Sequence, residues 1–122
     1  MSLNEASPPP AVSELSVTAT LDQDALRAHA DEAVAMLKVL GNVDRLMLLC
    51  QLSQQERTVG ELEQLTGISQ PTLSQQLGVL RREGLVSTRR EGKFICYQLA
   101  DKRALQLMQA IHQLFCAPGE QA

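Results

Sequence analysis

Three cysteines are the residues of this chain best able to do covalent chemistry, and they stand singly at Cys50, Cys96 and Cys116. A thiolate is both a nucleophile and a soft metal ligand. There is no Cys-x-x-Cys pair, which disfavours a zinc ribbon and a thioredoxin-type oxidoreductase. Isolated free cysteines also serve as small buried hydrophobes. Cys50, on a leucine face, can be read that way. Cys116 ends a helix beside Pro118-Gly119 and is expected to be accessible. His112 lies one turn before it. A charged imidazole there favours the Cys116 thiolate, while the negative end of the helix dipole opposes it. Cys96 alternates with Phe94 and Gln98 in an extended run and reads as incidental.

A second chemistry lies in Ser69-Gln-Pro-Thr-Leu-Ser-Gln-Gln-Leu-Gly78. At helical spacing Gln70, Thr72, Ser74 and Gln75 share a polar face, and Arg82 follows on it. Gln can pair bidentately with adenine, and Ser and Thr can bond a base or a phosphate. Such a face could be merely solvated. The basic run just after it (Arg89, Arg90, Lys93) turns the balance to DNA reading, because these side chains can straddle phosphates or enter a minor groove. Each single arginine could equally be a solvated charge.

The elements that must position these groups follow from periodicity. Leu26, Ala30, Ala33, Leu37 and Leu40 form one apolar stripe of a helix from Asp24 to Leu40. Gly41 stands where a helix end favours a left-handed residue. Asn42 caps a second helix, Val43 to Leu52, with Asp44 in its first turn and Leu46, Leu49 and Cys50 on one face. Thr58 and Glu61 make a T-x-x-E capping box. Val59, Leu62 and Leu65 are the expected buried side of that third helix, and Gly67 ends it. Ser69 can cap the next helix, with Pro71 in its first turn, Leu73, Leu77 and Leu80 inward and Gly84 at its end. The period then changes to two. Leu85–Arg90 and Lys93–Leu99 read as strands around a Glu91-Gly92 turn. Asp101 caps a last helix that reaches Cys116, stopped by Ala117-Pro118-Gly119. Leu105, Met108 and Phe115 lie on one side of it, and Leu107, Ile111 and Leu114 on the other. A terminal helix with two apolar sides packs on its own domain and on a second subunit. Two short helices, a tight turn and a basic hairpin give a mainly α, homodimeric winged helix-turn-helix.

The chain has 122 residues, 44% hydrophobic and 2% aromatic. That is one globular domain with a leucine-rich, helical core. Residues 1–20 read as a flexible arm, residues 21–118 as the domain and residues 119–122 as a tail. No apolar run is long enough for a membrane span, and no secretory signal is visible, so a cytoplasmic protein is expected. The net charge is −3, but residues 1–32 carry −5 and residues 69–99 carry +3. A local basic patch, not the total, is what matters for phosphate binding. No paired acids, nucleophile–base motif or phosphate loop suggest an enzyme, and no cofactor is implied.

From about Leu37 to Cys116 the chain resembles the ArsR/SmtB group of dimeric winged-helix repressors. Asp44-Arg-Leu-Met-Leu-Leu-Cys50, Val59-Gly-Glu-Leu-Glu-Gln-Leu65 and Ser69–Arg81 carry the likeness. Within the group it is most similar to the thiol-based BigR/SqrR type, which senses persulfide and controls sulfide-detoxification genes. The resemblance implies Cys50 and Cys116 as the redox-sensing pair, reactive sulfur species as the inducer and operator DNA as the partner. Oxidation would tie the second helix to the last one and release DNA. The chain departs from the group in Gly41-Asn42-Val43, where a turn ending in Pro is usual, and in the extra thiol Cys96. The same likeness raises a metal-responsive alternative. Metal-binding members place Cys-x-Cys where this chain has Glu61-Leu-Glu-Gln-Leu65, and a Cys50, Cys116 and His112 site is conceivable; no metal ligand set is assigned. A winged module that binds proteins and not DNA is the other alternative.

Overall fold

The structure, a computed structural model, describes residues 22–116. The expected arm, the Ala117-Pro118-Gly119 stop and the tail lie outside the described residues. The chain divides into two units, one ending at Val34 and one starting at Ala35. The elements are α1 (Gln23–Leu40), α2 (Val43–Leu52), β1 (Arg57–Thr58), α3 (Val59–Thr66), α4 (Thr72–Arg82), β2 (Val86–Glu91), β3 (Phe94–Leu99) and α5 (Lys102–Cys116).

In the first unit, Asp22 starts α1 by accepting the backbone N–H groups of Asp24 and Ala25 on Oδ1. His29 Nδ1 and Glu32 Oε1 meet at 2.9 Å on its surface. Of the expected stripe, Leu26 in this unit is more than half exposed; in the second unit Leu37 is too, while Leu40 is buried.

The second unit holds the core. Leu48 and Leu49 of α2, Leu62 of α3, Leu73, Leu77 and Leu80 of α4, and Ala104 and Met108 of α5 are all essentially inaccessible to water. Burial of each leucine contributes about 1.5–3 kcal/mol, so the packing of four helices on one another is what holds the domain. The caps place the helix starts. Asn42 accepts the Arg45 N–H at 3.0 Å. The Thr58–Glu61 box forms in both directions, and Asp101 accepts from the N–H groups of Arg103 and Ala104. Gly67 and Gly84 end α3 and α4 with left-handed φ of 76° and 78°.

Several expectations change. Gly41 is not left-handed among the glycines that are. Its place is steric: a Cβ there would stand 3.3 Å from the Leu37 carbonyl oxygen. Ser69 does not cap α4 through its side chain. The helix starts after Pro71, which leaves Ser69 two residues too early, and Gln70 Oε1 accepts from Ser74 N and Ser74 Oγ instead. Leu65 is 47% exposed because α3 buries only the Leu62 side against α2. Phe115 and Leu114 both face out, since α5 has run past the core at its last turn.

The expected two-stranded hairpin is a three-stranded antiparallel sheet, ordered β1-β3-β2. Arg57 and Thr58 pair with Tyr97 and Cys96. Glu91 pairs with Phe94, so the turn residues are Gly92 and Lys93. Gly92 has φ 62°, the sign such a two-residue turn needs. Arg89 and Cys96 are cross-strand partners. With Phe94 and Glu91 they share one face of the sheet by the two-residue alternation.

Candidate functional site

The polar face of α4 is held from behind. Arg45 of α2 donates from Nε to the Val39 carbonyl at 2.7 Å and from Nη1 to Gln76 Oε1 at 2.9 Å. It therefore locks α4 to the end of α1 and the start of α2. Sequence spacing had not singled out Arg45 or Gln76. The only signal was an arginine interrupting the apolar run of α2. Along α4 and just before it, Gln70, Ser74 and Gln75 are exposed and Thr72 is half-buried. Gln70 is not free to turn: its carbonyl oxygen serves the first turn of α4, leaving its NH2 as the group that can reach outward. Arg82 is exposed in the last turn of α4.

The hairpin arginines separate into two kinds. Arg89 grips Glu56 with two bonds, Nε to Oε2 at 2.6 Å and Nη2 to Oε1 at 2.7 Å, and also meets Glu91 at 2.8 Å. A bidentate Arg–carboxylate pair is the strong form of this interaction. Its hydrogen bonds hold the Glu56 carboxyl below its usual value and stabilise the guanidinium charge. Arg89 thus ties the hairpin to the segment after α2. Arg90 and Lys93 are exposed, Lys93 with its Nζ 5.9 Å from the Phe94 ring centroid. Glu56 was missed because its partner is far away in sequence.

The thiols take three environments. All three are free. Cys96 is buried in β3. Cys50 is half-buried on α2, its Sγ 3.8 Å from Met108 Sδ on α5, and Ser53 Oγ donates to its carbonyl. It opens on a groove of about 400 Å³ between α2 and α5, lined also by Ser53, Gln54, Gln109 and His112. Burial pushes the Cys50 thiol up, and the Cys116 thiol is close enough to push it further by charge. Cys116 itself is exposed at the end of α5. The fold therefore brings the two thiols within electrostatic reach, one sheltered and one open. Among the described residues, no three His, Cys, Asp or Glu side chains gather as a metal site needs. No described helix is long and apolar enough to cross a membrane.

A helix–turn–helix followed by a small antiparallel sheet with a basic hairpin defines a winged-helix regulator of transcription. A profile of the family described as "Bacterial regulatory protein, arsR family" matches residues 42–88. The biofilm growth-associated repressor of Agrobacterium fabrum is 53% identical over 96 residues, 79% of this chain and 82% of the relative. The crystal structure of the transcriptional repressor BigR from Xylella fastidiosa superposes with a TM-score of 0.76 at 49% identity, covering 80% of this chain and 99% of that one. A homodimeric winged helix-turn-helix DNA-binding domain from Mycobacterium bovis gives 0.64 at 32% identity, covering 83% and 92%. The chain belongs to the arsR family, as a transcriptional repressor of that type and not an enzyme.

Proposed function

We propose that this repressor binds its operator as a homodimer and releases it when reactive sulfur oxidises the Cys50–Cys116 pair, in control of sulfide-detoxification genes. The observation that carries the redox part is the packing of Cys50 on Met108 of α5, the helix that ends in the exposed Cys116, with Cys50 opening on a groove between the two helices. The exposed Cys116 thiolate attacks the outer sulfur of a persulfide RSSH. A Cys116 persulfide forms and RS⁻ leaves. Cys50 then attacks the inner sulfur, giving a Cys50–Cys116 disulfide and expelling HS⁻. If both thiols are persulfidated first, the same displacement leaves a trisulfide and again expels HS⁻. In either case α2, which Arg45 links to α4, becomes bonded to α5.

Dimerisation is supported by the apolar side chains left open, Leu26, Val34 and Leu37 on α1 and Leu114 and Phe115 on α5. It is supported also by the homodimeric relative from Mycobacterium bovis. A bond at α5 then alters the spacing of the two reading heads, which must match half-sites about one helical turn apart. Gln75, Thr72 and Ser74 are the base-reading candidates, with the Gln70 NH2 beside them. Arg82, Arg90 and Lys93, all exposed, are the phosphate-contact candidates. Arg89 joins them only where a phosphate displaces Glu56 or Glu91.

An operator gel shift of reduced protein against protein treated in parallel with an organic persulfide, peroxide and zinc tests the reading. Persulfide is expected to release DNA, dithiothreitol to restore binding, and stoichiometric zinc to leave the complex intact. Release by zinc, abolished in His112→Ala, would put a metal-responsive repressor in its place.

A further inference from the structure

We infer that Phe94 is an apolar wedge that the hairpin inserts into the minor groove of the operator, unstacking one base step. The inference rests on the DNA-binding reading and goes beyond the charged contacts assigned above. Phe94 pairs with Glu91 next to the Gly92-Lys93 turn, so its ring stands at the tip of the hairpin. It is 55% exposed there, in a chain with two phenylalanines. A singly exposed apolar side chain needs no explanation on its own. What singles out Phe94 is the arrangement of charge around it.

The acid at the tip, Glu91, is engaged, and so is Glu56 further back. Arg89 binds Glu56 at 2.6 Å and Glu91 at 2.8 Å, so both carboxylates are drawn onto one guanidinium. The cations at the tip remain open. Lys93 holds its ammonium over the Phe94 ring, and Arg90, on the other side of β2, is exposed. The tip is therefore an apolar plate edged by two cations, with its one acid, Glu91, drawn onto Arg89. A protein partner with an acidic rim would need a wider apolar face than one ring. A minor groove fits the plate: its walls are phosphates, and its floor offers sugar and base edges. Apolar side chains entering that groove part a base step and kink the duplex, most readily at flexible pyrimidine–purine steps. Arg90 and Lys93 then reach the phosphates on either side, and Arg89 acts as a positioning residue that keeps the acids off the DNA.

The test uses the full-length protein and a duplex it selects from a random pool, with 2-aminopurine placed in turn at each adenine where the hairpin falls. Wild-type protein is expected to raise the fluorescence at one step, as unstacking does. Phe94→Ala should lose that rise and bind the duplex about ten- to a hundredfold more weakly, the scale of burying one aromatic ring. Its salt dependence should be unchanged, since no phosphate contact is removed. Phe94→Leu should keep most of the affinity. Phe94 is exposed, and an unaltered thermal midpoint of Phe94→Ala will show that the fold is intact. Wild-type affinity and fluorescence in Phe94→Ala overturn the inference. So does a weakened complex with a flattened salt slope, which would mean that the ring serves only to hold Lys93. Failure of the wild-type protein to select any duplex overturns the DNA-binding reading itself.

Discussion

Cys50→Ser and Cys116→Ser are each expected to bind operator when reduced and to stay bound after persulfide treatment. Wild-type protein should fall toward its non-specific affinity, on the order of a thousandfold or more weaker. The two thiols lie on α2 and α5, elements that the chain does not hold together locally. A bond between them is therefore a tie that the reduced protein lacks. With either partner missing, a persulfide on the other has no resolving thiol within the subunit. Cys116 is exposed, so its replacement leaves the core packing untouched and any loss of response belongs to the chemistry. Cys96→Ser should still respond, because Cys96 is buried in β3 opposite Arg89 and contributes nothing to the α2–α5 link. Gel shifts of the three variants before and after treatment decide it. A Cys96→Ser protein that no longer responds contradicts the assignment.

The second large effect concerns the reading helix. Gln75 is exposed on α4, on the side away from the buried Leu73, Leu77 and Leu80. A bidentate contact to a base contributes about 1–3 kcal/mol of discrimination. Gln75→Ala should therefore weaken operator binding by that amount and leave random-duplex binding nearly unchanged. Arg90→Ala should weaken both alike and reduce the slope of log affinity against log salt by roughly one, as the loss of one phosphate contact does. Titrations on operator and random duplex over a range of salt separate the two classes. Equal loss on both duplexes in Gln75→Ala would move that residue to the backbone-contact class.

These expectations could be framed from sequence because much of the fold announces itself locally. The T-x-x-E box, Asn42 and Asp101 mark helix starts by hydrogen bonds that span three residues. Gly67 and Gly84 mark ends by a backbone sign that only glycine adopts easily. Leu73, Leu77 and Leu80 mark the inner side of α4 by spacing alone. What stayed hidden is what depends on partners far along the chain. A two-residue strand such as Arg57–Thr58 has no period to detect, and it exists only because β3 offers it an edge. The Glu56–Arg89 clamp joins residues 33 positions apart, and nothing near either residue points to the other. Arg89 therefore read as a free cation like Arg90. The first turn of α4 was misassigned for a similar reason. Ser69 is a plausible cap by type, but the helix begins after Pro71 and has no side-chain cap. The thiol pair lay in between. Cys50 alone looked like a core hydrophobe and Cys116 like an exposed helix end. Only the family resemblance paired them, and the packing of α2 on α5 supplies the physical reason.

The most direct test of the dithiol account is mass spectrometry of the intact, persulfide-treated protein, followed by mapping of the linked peptides under non-reducing conditions. The account predicts one Cys50–Cys116 crosslink per subunit, as a disulfide or with an extra sulfur atom, appearing in step with operator release and removed by dithiothreitol. A dominant crosslink through Cys96, or operator release with no crosslink at all, would contradict it.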